Sequence, residues 1–418
     1  MNEDYLQYIW RFQRFQNLDL RLTSGRNLVV MFQGHWNKQS GPDFLESRMR
    51  IDKEVWIGST EIHVKSSDWR RHGHAQDPAY FNVVLHVVYE DDEPLVNHAG
   101  QQVPTLELKN LIDPEHLNEY HKFVGTVGQL PCAARLSEVP DISRQAWLHR
   151  MAVERLEDRY AKCMSLLNEH QFDWNAVWWL MLCRSVGFGI NQEAFEVVAR
   201  SIDWKWMDRW RHQPVRMEAL LAGQSGWFNL EDPGFPQEVK QEYLHLVKLL
   251  KVKPLMEALW QRGRMKPANR PVVRMGQLIA IVSGGWLNWN KLLEIEDLAT
   301  LRKAWKATVA AKLFSDGKGR TIVVGSKALD LIFTNALIPL MFTYGQYSNR
   351  ADLTDRAIAW MESIAPEDNH ITRLWSANGW KGENVLETQG QLHLHRSYCC
   401  QKKCLSCLIG INLLKDKA

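Results

Sequence analysis

The sequence lacks the long apolar stretches of a membrane protein. In its 418 residues, no run reaches the roughly 18 consecutive apolar side chains that a membrane-spanning helix needs. Its first residues, Met1-Asn2-Glu3-Asp4, are acidic, and no apolar core of a secretory signal follows them. The net charge of only +3 gives no strong overall attraction to nucleic acid, so such binding would need a local basic patch. These absences predict a cytoplasmic protein without membrane contact.

Cysteine is also scarce, with seven residues in the chain, and four of them lie within the segment 399–407. Scattered thiols elsewhere fit a reducing compartment. Cys399, Cys404 and Cys407 follow a C-x4-C-x2-C spacing, with Cys400 as an extra thiol. Soft thiolates at such spacing bind Zn²⁺ or an iron–sulfur cluster, so we predict a structural metal site here. The candidates for a fourth ligand are His393, His395 and Cys132.

The N-terminal third combines one amphipathic helix with several strands. Tyr5, Ile9 and Phe12 recur at helical spacing. Runs rich in strand formers, bounded by turn residues, predict strands at 28–32, 44–51, 55–66, 82–90 and 105–109. We therefore predict an α+β domain over residues 1–135, with a mixed sheet and a flanking helix.

The rest of the chain changes character. Helical patterns separated by Gly, Pro and Asn predict an all-α domain over residues 140–397, with the cysteine-rich segment 398–418 packed on it. The chain holds 19 tryptophans, and those in helical patterns, such as Trp178 and Trp179, are predicted to fill the core rather than to stack on bases.

Polar side chains concentrate in the stretch from Gly41 to Trp69. Asp43 enters one predicted strand, and the next strand carries Glu61, His63 and Lys65 at alternate positions, which places those three on one face. A carboxylate, an imidazole and an amine together form our candidate active site. A half-exposed strand with Glu61 and Lys65 facing water explains the same alternation.

Two neighbouring patterns offer alternative sites. The HGH-x2-D sequence of His72, His74 and Asp77 could recruit Zn²⁺ or could form a solvated loop. The strand ending in Glu107 and Lys109 holds a literal E-x-K, which ranks second to the Lys65 strand.

A basic segment lies within the helical part. Five Lys or Arg side chains fall within thirteen positions that contain no acid. They are Arg262, Arg264, Lys266, Arg270 and Arg274. The segment could neutralise phosphates of DNA or RNA, or it could be a loop that charge keeps soluble.

Several motifs carry a family resemblance. GPDF, EIHVKSSDW, the HGH-x2-D-x2-Y-x-NVVLHVVYE run and the C-terminal YC-x4-C-x2-C-x-IG are similar to an uncharacterised bacterial family of unknown function, over nearly the whole chain. By that family pattern, Cys399, Cys404 and Cys407 are the matching thiols.

The acid, turn and E-x-H-x-K strand also resemble a variant of the PD-(D/E)XK nuclease core. This second resemblance implies that Asp43 and Glu61 bind Mg²⁺ or Mn²⁺, that Lys65 stabilises the phosphate or lowers the pKa of the attacking water, and that His63 is a ligand or proton carrier. The chain departs from that pattern because His63, not an acid, stands two residues before Lys65.

Together these patterns predict a metal-dependent nucleic-acid hydrolase, a nuclease-like phosphodiesterase with a structural C-terminal metal site. The alternative is a non-enzymatic module that binds nucleic acid or protein, which the near-neutral charge favours.

Overall fold

A computed structural model describes residues 1–15, 19–37, 39–125, 130–229, 235–253, 255, 260–261, 269–307 and 324–415. The chain divides into two compact units. The first unit comprises Met1–Trp147 and His395–Ala418, and the second comprises Leu148–Leu394.

The first unit is built on a seven-stranded mixed sheet, which confirms the predicted α+β class. Its strands are β1 (Leu20–Arg21), β2 (Asn27–Phe32), β3 (His35–Trp36), β4 (Phe44–Ile51), β5 (Glu54–Lys65), β6 (Val83–Glu90) and β7 (Thr105–Glu107). The strand order is β1-β2-β4-β5-β6-β7, with β3 paired to β4. The strands from β1 to β5 pair antiparallel, whereas β5, β6 and β7 pair parallel.

The described helices that lie wholly within this unit are α1 (Glu3–Phe12), α2 (Asp68–Arg71), α3 (Pro114–Gly125) and α18 (Leu408–Lys415). Tyr5, Ile9 and Trp10 of α1 join Ile62 and Val87 in one apolar cluster. Because side chains alternate along a strand, Glu61 and His63 point to the opposite face from Ile62.

The connection from β5 to β6 determines what covers that opposite face. Parallel neighbours require a crossover that passes over the sheet, and here it consists of α2 followed by two short 3₁₀ turns, His74–Gln76 and Pro78–Tyr80. Where the crossover ends, β5 and the start of β6 can approach each other closely because residue 58 is a glycine. A Cβ at Gly58 would lie 2.4 Å from the carbonyl oxygen of Asn82.

The C-terminal segment groups with this sheet unit, whereas the sequence analysis placed 398–418 on the helical domain. The reason is apolar packing. Leu405, Ile411 and Leu414 belong to the same buried cluster as α1 and the central strands.

The second unit is helical, as predicted for this part of the chain. The helix α4 (Asp141–Glu169) leads into it. The helices that follow are α5 (Trp174–Val186), α6 (Gln192–Arg200), α7 (Trp204–Arg209), α8 (Pro214–Gln224), α9 (Gln237–Leu250), α10 (Pro271–Ser283), α11 (Trp289–Leu293), α12 (Leu298–Ala307), α13 (Ser326–Ile332), α14 (Ile338–Tyr347), α15 (Ala351–Ser363), α16 (His370–Ala377) and α17 (Val385–Leu394). Trp178 and Trp179 are buried in its core, where their indole N–H groups donate to the carbonyls of Trp286 and Ala199.

One helical stretch of 22 residues, Ser326–Tyr347, is long and apolar enough to cross a membrane by composition, with a mean hydropathy of 1.3 in its most apolar 18-residue window. In its most apolar window 78% of the residues are buried inside the protein. Phe333, Leu337 and Met341 pack in the core of the helical unit, so this stretch is a core helix in the fold.

Candidate metal centre

A cluster of one carboxylate and three imidazoles lies on the face of β5 that the crossover covers. Glu61 and His63 come from the strand, and His72 and His74 come from the crossover. Nε2 of His63 lies 3.2 Å from Nδ1 of His72, and Oε1 of Glu61 lies 3.6 Å from Nε2 of His63. The same carboxylate oxygen lies 3.5 Å from Nε2 of His74. The fold thus brings the three imidazoles together and places the Glu61 carboxylate beside two of them, His63 and His74.

These separations match those of atoms bound to a common ion. Nitrogen and oxygen ligands at about 2.0–2.1 Å from a tetrahedral metal are roughly 3.4 Å from one another. Among the described residues, the imidazole nitrogens of His63, His72 and His74 lie within 4.8 Å of one another. Nε2 of His74 is buried and has no hydrogen-bond partner within the described ranges, although it points at Glu61. An ion at the centre of the cluster would satisfy it.

Backbone and side-chain contacts hold Glu61 in this orientation. The backbone N–H of Asp43 donates to Oε2 of Glu61 at 3.0 Å, which leaves Oε1 facing the imidazoles. The carboxylate of Asp43 in turn accepts from the side chain of Gln7 at 2.8 Å and from the backbone N–H of Ile62 at 3.0 Å. Asp43 therefore lies beside Glu61, and both of its carboxylate oxygens accept hydrogen bonds.

A second group of side chains orients the imidazoles. His86 is fully buried on β6 opposite Glu61, and its Nε2 lies 2.8 Å from Nδ1 of His63. If His63 carries its proton on Nδ1, it donates to His86 and leaves Nε2 available to a metal. The buried indole of Trp69 packs edge-on against both His74 and His86. His72 is exposed, so the cluster opens to solvent on that side.

Burial sets the protonation of this cluster. It lowers the pKa of His63 to about 2, with the nearby His86 adding to the shift, and lowers the pKa of His74 to about 4. The pKa of Glu61 is raised, first by burial and then by Asp43, and burial raises the pKa of Asp43 as well. Neutral imidazole is the metal-binding form, and a cation would offset the burial that keeps the carboxyls protonated.

The predicted partners Lys65 and Asp77 are engaged elsewhere. The ammonium of Lys65 is half exposed and lies 3.6 Å from Asp92, at the end of β5. Asp77 caps the second 3₁₀ turn by accepting from the backbone N–H of Ala79. The cluster therefore unites Glu61 and His63 of the first hypothesis with His72 and His74 of the alternative.

The E-x-K motif of Glu107 and Lys109, which ranked second in the sequence, makes contacts at the protein surface. Lys109 pairs with Glu90 at 3.1 Å, and Glu107 accepts from the backbone N–H of Asp91.

The predicted basic segment is only partly described. Arg262, Arg264 and Lys266 lie outside the described residues. Arg270 is exposed at the start of α10. Arg274 is buried, stacks on Phe188 and donates to Gln277 and Asn269, which corrects its assignment to a phosphate-binding surface. A guanidinium that is already hydrogen-bonded in the interior does not face a nucleic acid.

The C-terminal thiols form a second cluster in this unit. Cys399, Cys404 and Cys407 line a cavity together with Cys132, one of the three candidates for a fourth ligand. Burial raises the pKa of Cys132 to about 12, and the proximity of Cys407 and Cys404 contributes. The other candidates contact different groups.

The other two candidates for the fourth ligand, His393 and His395, lie next to other side chains. His393 lies 3.6 Å from Glu154 and 3.7 Å from Asp158, in the helical unit. His395 lies 3.6 Å from the sulfur of Cys400.

The fold and the cluster together define an α+β protein with a candidate metal centre in its sheet unit and an additional helical unit. The chain belongs to the family described as "Protein of unknown function (DUF2851)", whose model matches residues 3–370. This confirms the family resemblance seen in the motifs, and the cysteine segment 399–407 lies beyond the matched range. No curated protein and no solved structure matches the chain.

Proposed function

We propose that the first unit is a metal-dependent hydrolase of phosphodiester bonds in nucleic acid. The observation that carries this proposal is the convergence of imidazole nitrogens of His63, His72 and His74 within 4.8 Å of one another, with Oε1 of Glu61 3.6 Å from His63 and 3.5 Å from His74. The exposed His72 marks the side from which a substrate reaches the ion.

The ligand set favours a particular class of metal. Imidazole suits Zn²⁺ and other later transition metals, the carboxylate of Glu61 suits Mn²⁺, and Mg²⁺ prefers a shell of oxygen ligands in which it keeps several waters. Of the two metals predicted from the sequence at Asp43 and Glu61, Mn²⁺ therefore fits this ligand set better than Mg²⁺. Zn²⁺ is the other candidate. The chain also differs from the nuclease pattern at the lysine position. In the (D/E)-x-K pattern a lysine stands two residues after the acid, whereas here His63 stands two residues after Glu61.

Such an ion supplies two kinds of help to hydrolysis. Held by His63, His72, His74 and Glu61, it would lower the pKa of a bound water and polarise a phosphoryl oxygen, so that water adds to phosphorus, the bond to the leaving oxygen breaks and the proton of the attacking water passes to that oxygen. Asp43 holds Glu61 through its backbone N–H and is a positioning residue in this scheme.

Cations near the opening support a phosphate substrate. Arg70 and Arg71 immediately precede His72, and their side chains are 75% and 70% exposed, with Arg70 paired to Glu93 and Arg71 to Asp68, each at 2.7 Å. The charge of Arg71 contributes to the lowered pKa of His63, although burial dominates that shift, so the guanidinium lies near the centre. Exposed guanidinium groups are suited to phosphate contacts.

The test is a cleavage assay on single-stranded DNA, duplex DNA and RNA with Mn²⁺, Zn²⁺ or Mg²⁺. We expect cleavage with Mn²⁺ or Zn²⁺ that stops on chelation. His72→Ala should lower the rate by more than roughly 100-fold while the fold survives, because His72 is exposed. His35→Ala, an exposed histidine on β3, is the matched control and should keep full activity. Metal binding without cleavage of any substrate would contradict the hydrolase and favour the interaction module.

A further inference from the structure

Four thiols from two distant parts of the chain meet in the first unit. Cys132 follows α3, and Cys399, Cys404 and Cys407 belong to the C-terminal segment. All four line one cavity, whose other walls are Phe123, Pro131, Tyr398, Lys403 and Gly410. Cys400, the remaining thiol of the segment, is exposed and contacts His395 instead. We propose that Cys132, Cys399, Cys404 and Cys407 hold an iron–sulfur cluster.

The spacing of the sulfurs separates a cluster from a single zinc ion. Four thiolates at about 2.3 Å from one Zn²⁺ are roughly 3.8 Å apart. Among the described residues, ligand atoms mutually within 4.8 Å are found at the histidine cluster and not at these thiols. Several iron and sulfide ions hold their thiolates farther apart than one ion does.

The surroundings suit such a group. Phe123, Pro131 and Tyr398 give the cavity an apolar wall, which limits access of water to a cluster. Two lysines lie near the negative charge that four thiolates would carry. Lys403 lines the cavity. Burial raises the pKa of Cys404, and the charge of Lys402 partly opposes that rise. Gly410 allows α18 to approach closely, because a Cβ there would lie 2.1 Å from the carbonyl oxygen of Cys404.

The cluster would join the two chain segments of the sheet unit. Cys132 lies in the N-terminal segment, Met1–Trp147, and the thiols at 399–407 lie in the segment that returns after the whole helical unit. Leu405, Ile411 and Leu414 then pack into the apolar cluster of the sheet. The role is structural and independent of the hydrolase proposed above, so either proposal can fail alone.

The experiment is metal and sulfide analysis of the full chain purified without oxygen and reconstituted with iron and sulfide. We expect iron and inorganic sulfide in equal amounts, about two to four of each per chain, with the visible absorbance of a cluster. Cys132→Ser should lose most of both, whereas Cys400→Ser, the matched control in the same segment, should keep them. One zinc per chain without sulfide, or an apoprotein after reconstitution, would overturn the cluster. Full iron and sulfide in Cys132→Ser would overturn the fourth ligand.

A second measurement does not depend on folding of the variants. Wild-type protein is treated with a thiol-alkylating reagent before and after the cluster is removed by a chelator, and the modified sites are mapped by mass spectrometry. We expect Cys400 to react in both samples and Cys132, Cys399, Cys404 and Cys407 to react only after removal. Equal labelling of these four thiols before and after removal would contradict the proposal.

Discussion

Replacing Glu218 by glutamine is expected to stabilise the helical unit at neutral pH. Glu218 lies on α8 and is fully buried, and neither carboxyl oxygen has a hydrogen-bond partner among the described residues. Burial raises its pKa from the ordinary 4.5 to about 8. Ionisation therefore opposes folding at any pH at which the unfolded chain carries the charge.

The size of the effect follows from the pKa difference. Below pH 4.5 the carboxyl is neutral in both states and has no effect on stability. As the pH rises from 4.5 to 8, the unfolded state loses its proton while the folded state keeps it, and folding stability falls by about 1.4 kcal/mol per pH unit. At pH 7 the accumulated loss is about 3 kcal/mol. Glutamine has a similar volume and no charge, so Glu218→Gln should remove this loss.

The assay is denaturant unfolding followed by tryptophan fluorescence between pH 4.5 and 8. Trp178, Trp179 and Trp227 report on the helical unit, where they are buried. The free energy of unfolding of the variant should equal that of the wild type at pH 4.5 and exceed it by about 3 kcal/mol at pH 7. Glu238→Gln, at an exposed position on α9, is the control, and its free energy of unfolding should stay close to that of the wild type across this pH range. A variant less stable than the wild type at pH 7 would refute the reasoning, because it would mean that the carboxylate is charged and paired.

Three further substitutions test separate parts of the structure. His86→Phe removes the partner of Nδ1 of His63 and should weaken Mn²⁺ binding roughly 10- to 100-fold in calorimetric titration; unchanged affinity would contradict the positioning role. Gly58→Ala should lower the stability of the sheet unit by about 1–3 kcal/mol in thermal unfolding, whereas Gly125→Ala, where a Cβ meets nothing within 4 Å, should not. Trp178→Phe leaves the carbonyl of Trp286 unpaired in the core and should cost about 1–3 kcal/mol by denaturant titration; a midpoint equal to that of the wild type would argue against it.

Much of the sheet could be predicted from local pattern. Alternation along 55–66 correctly placed Glu61 and His63 on a common face, because a strand of period two fixes that face by itself. The tryptophans at 178 and 179 were correctly assigned to a core for a similar reason, since helical spacing among apolar residues indicates burial.

The composition of the site depends on contacts that no local pattern encodes. His72 and His74 reach Glu61 only because β5 and β6 are parallel and their crossover passes over one face of the sheet. Lys65 shares the strand face but lies at its end, where Asp92 pairs with it. Cys132 meets the C-terminal thiols through a pairing of segments that lie far apart in the sequence, and Arg274 was misassigned because a basic run does not reveal which of its side chains is buried.

The central claim is tested most directly by anomalous diffraction at the manganese edge from crystals grown with Mn²⁺. Manganese suits the histidine and carboxylate cluster and is a poor match for thiols, so the two sites are separated by position and by chemistry. The proposal predicts a peak among His63, His72, His74 and Glu61, and its loss in a double variant His72→Ala, His74→Ala. A wild-type crystal with no peak there, or a peak that persists in the double variant, would contradict the metal centre.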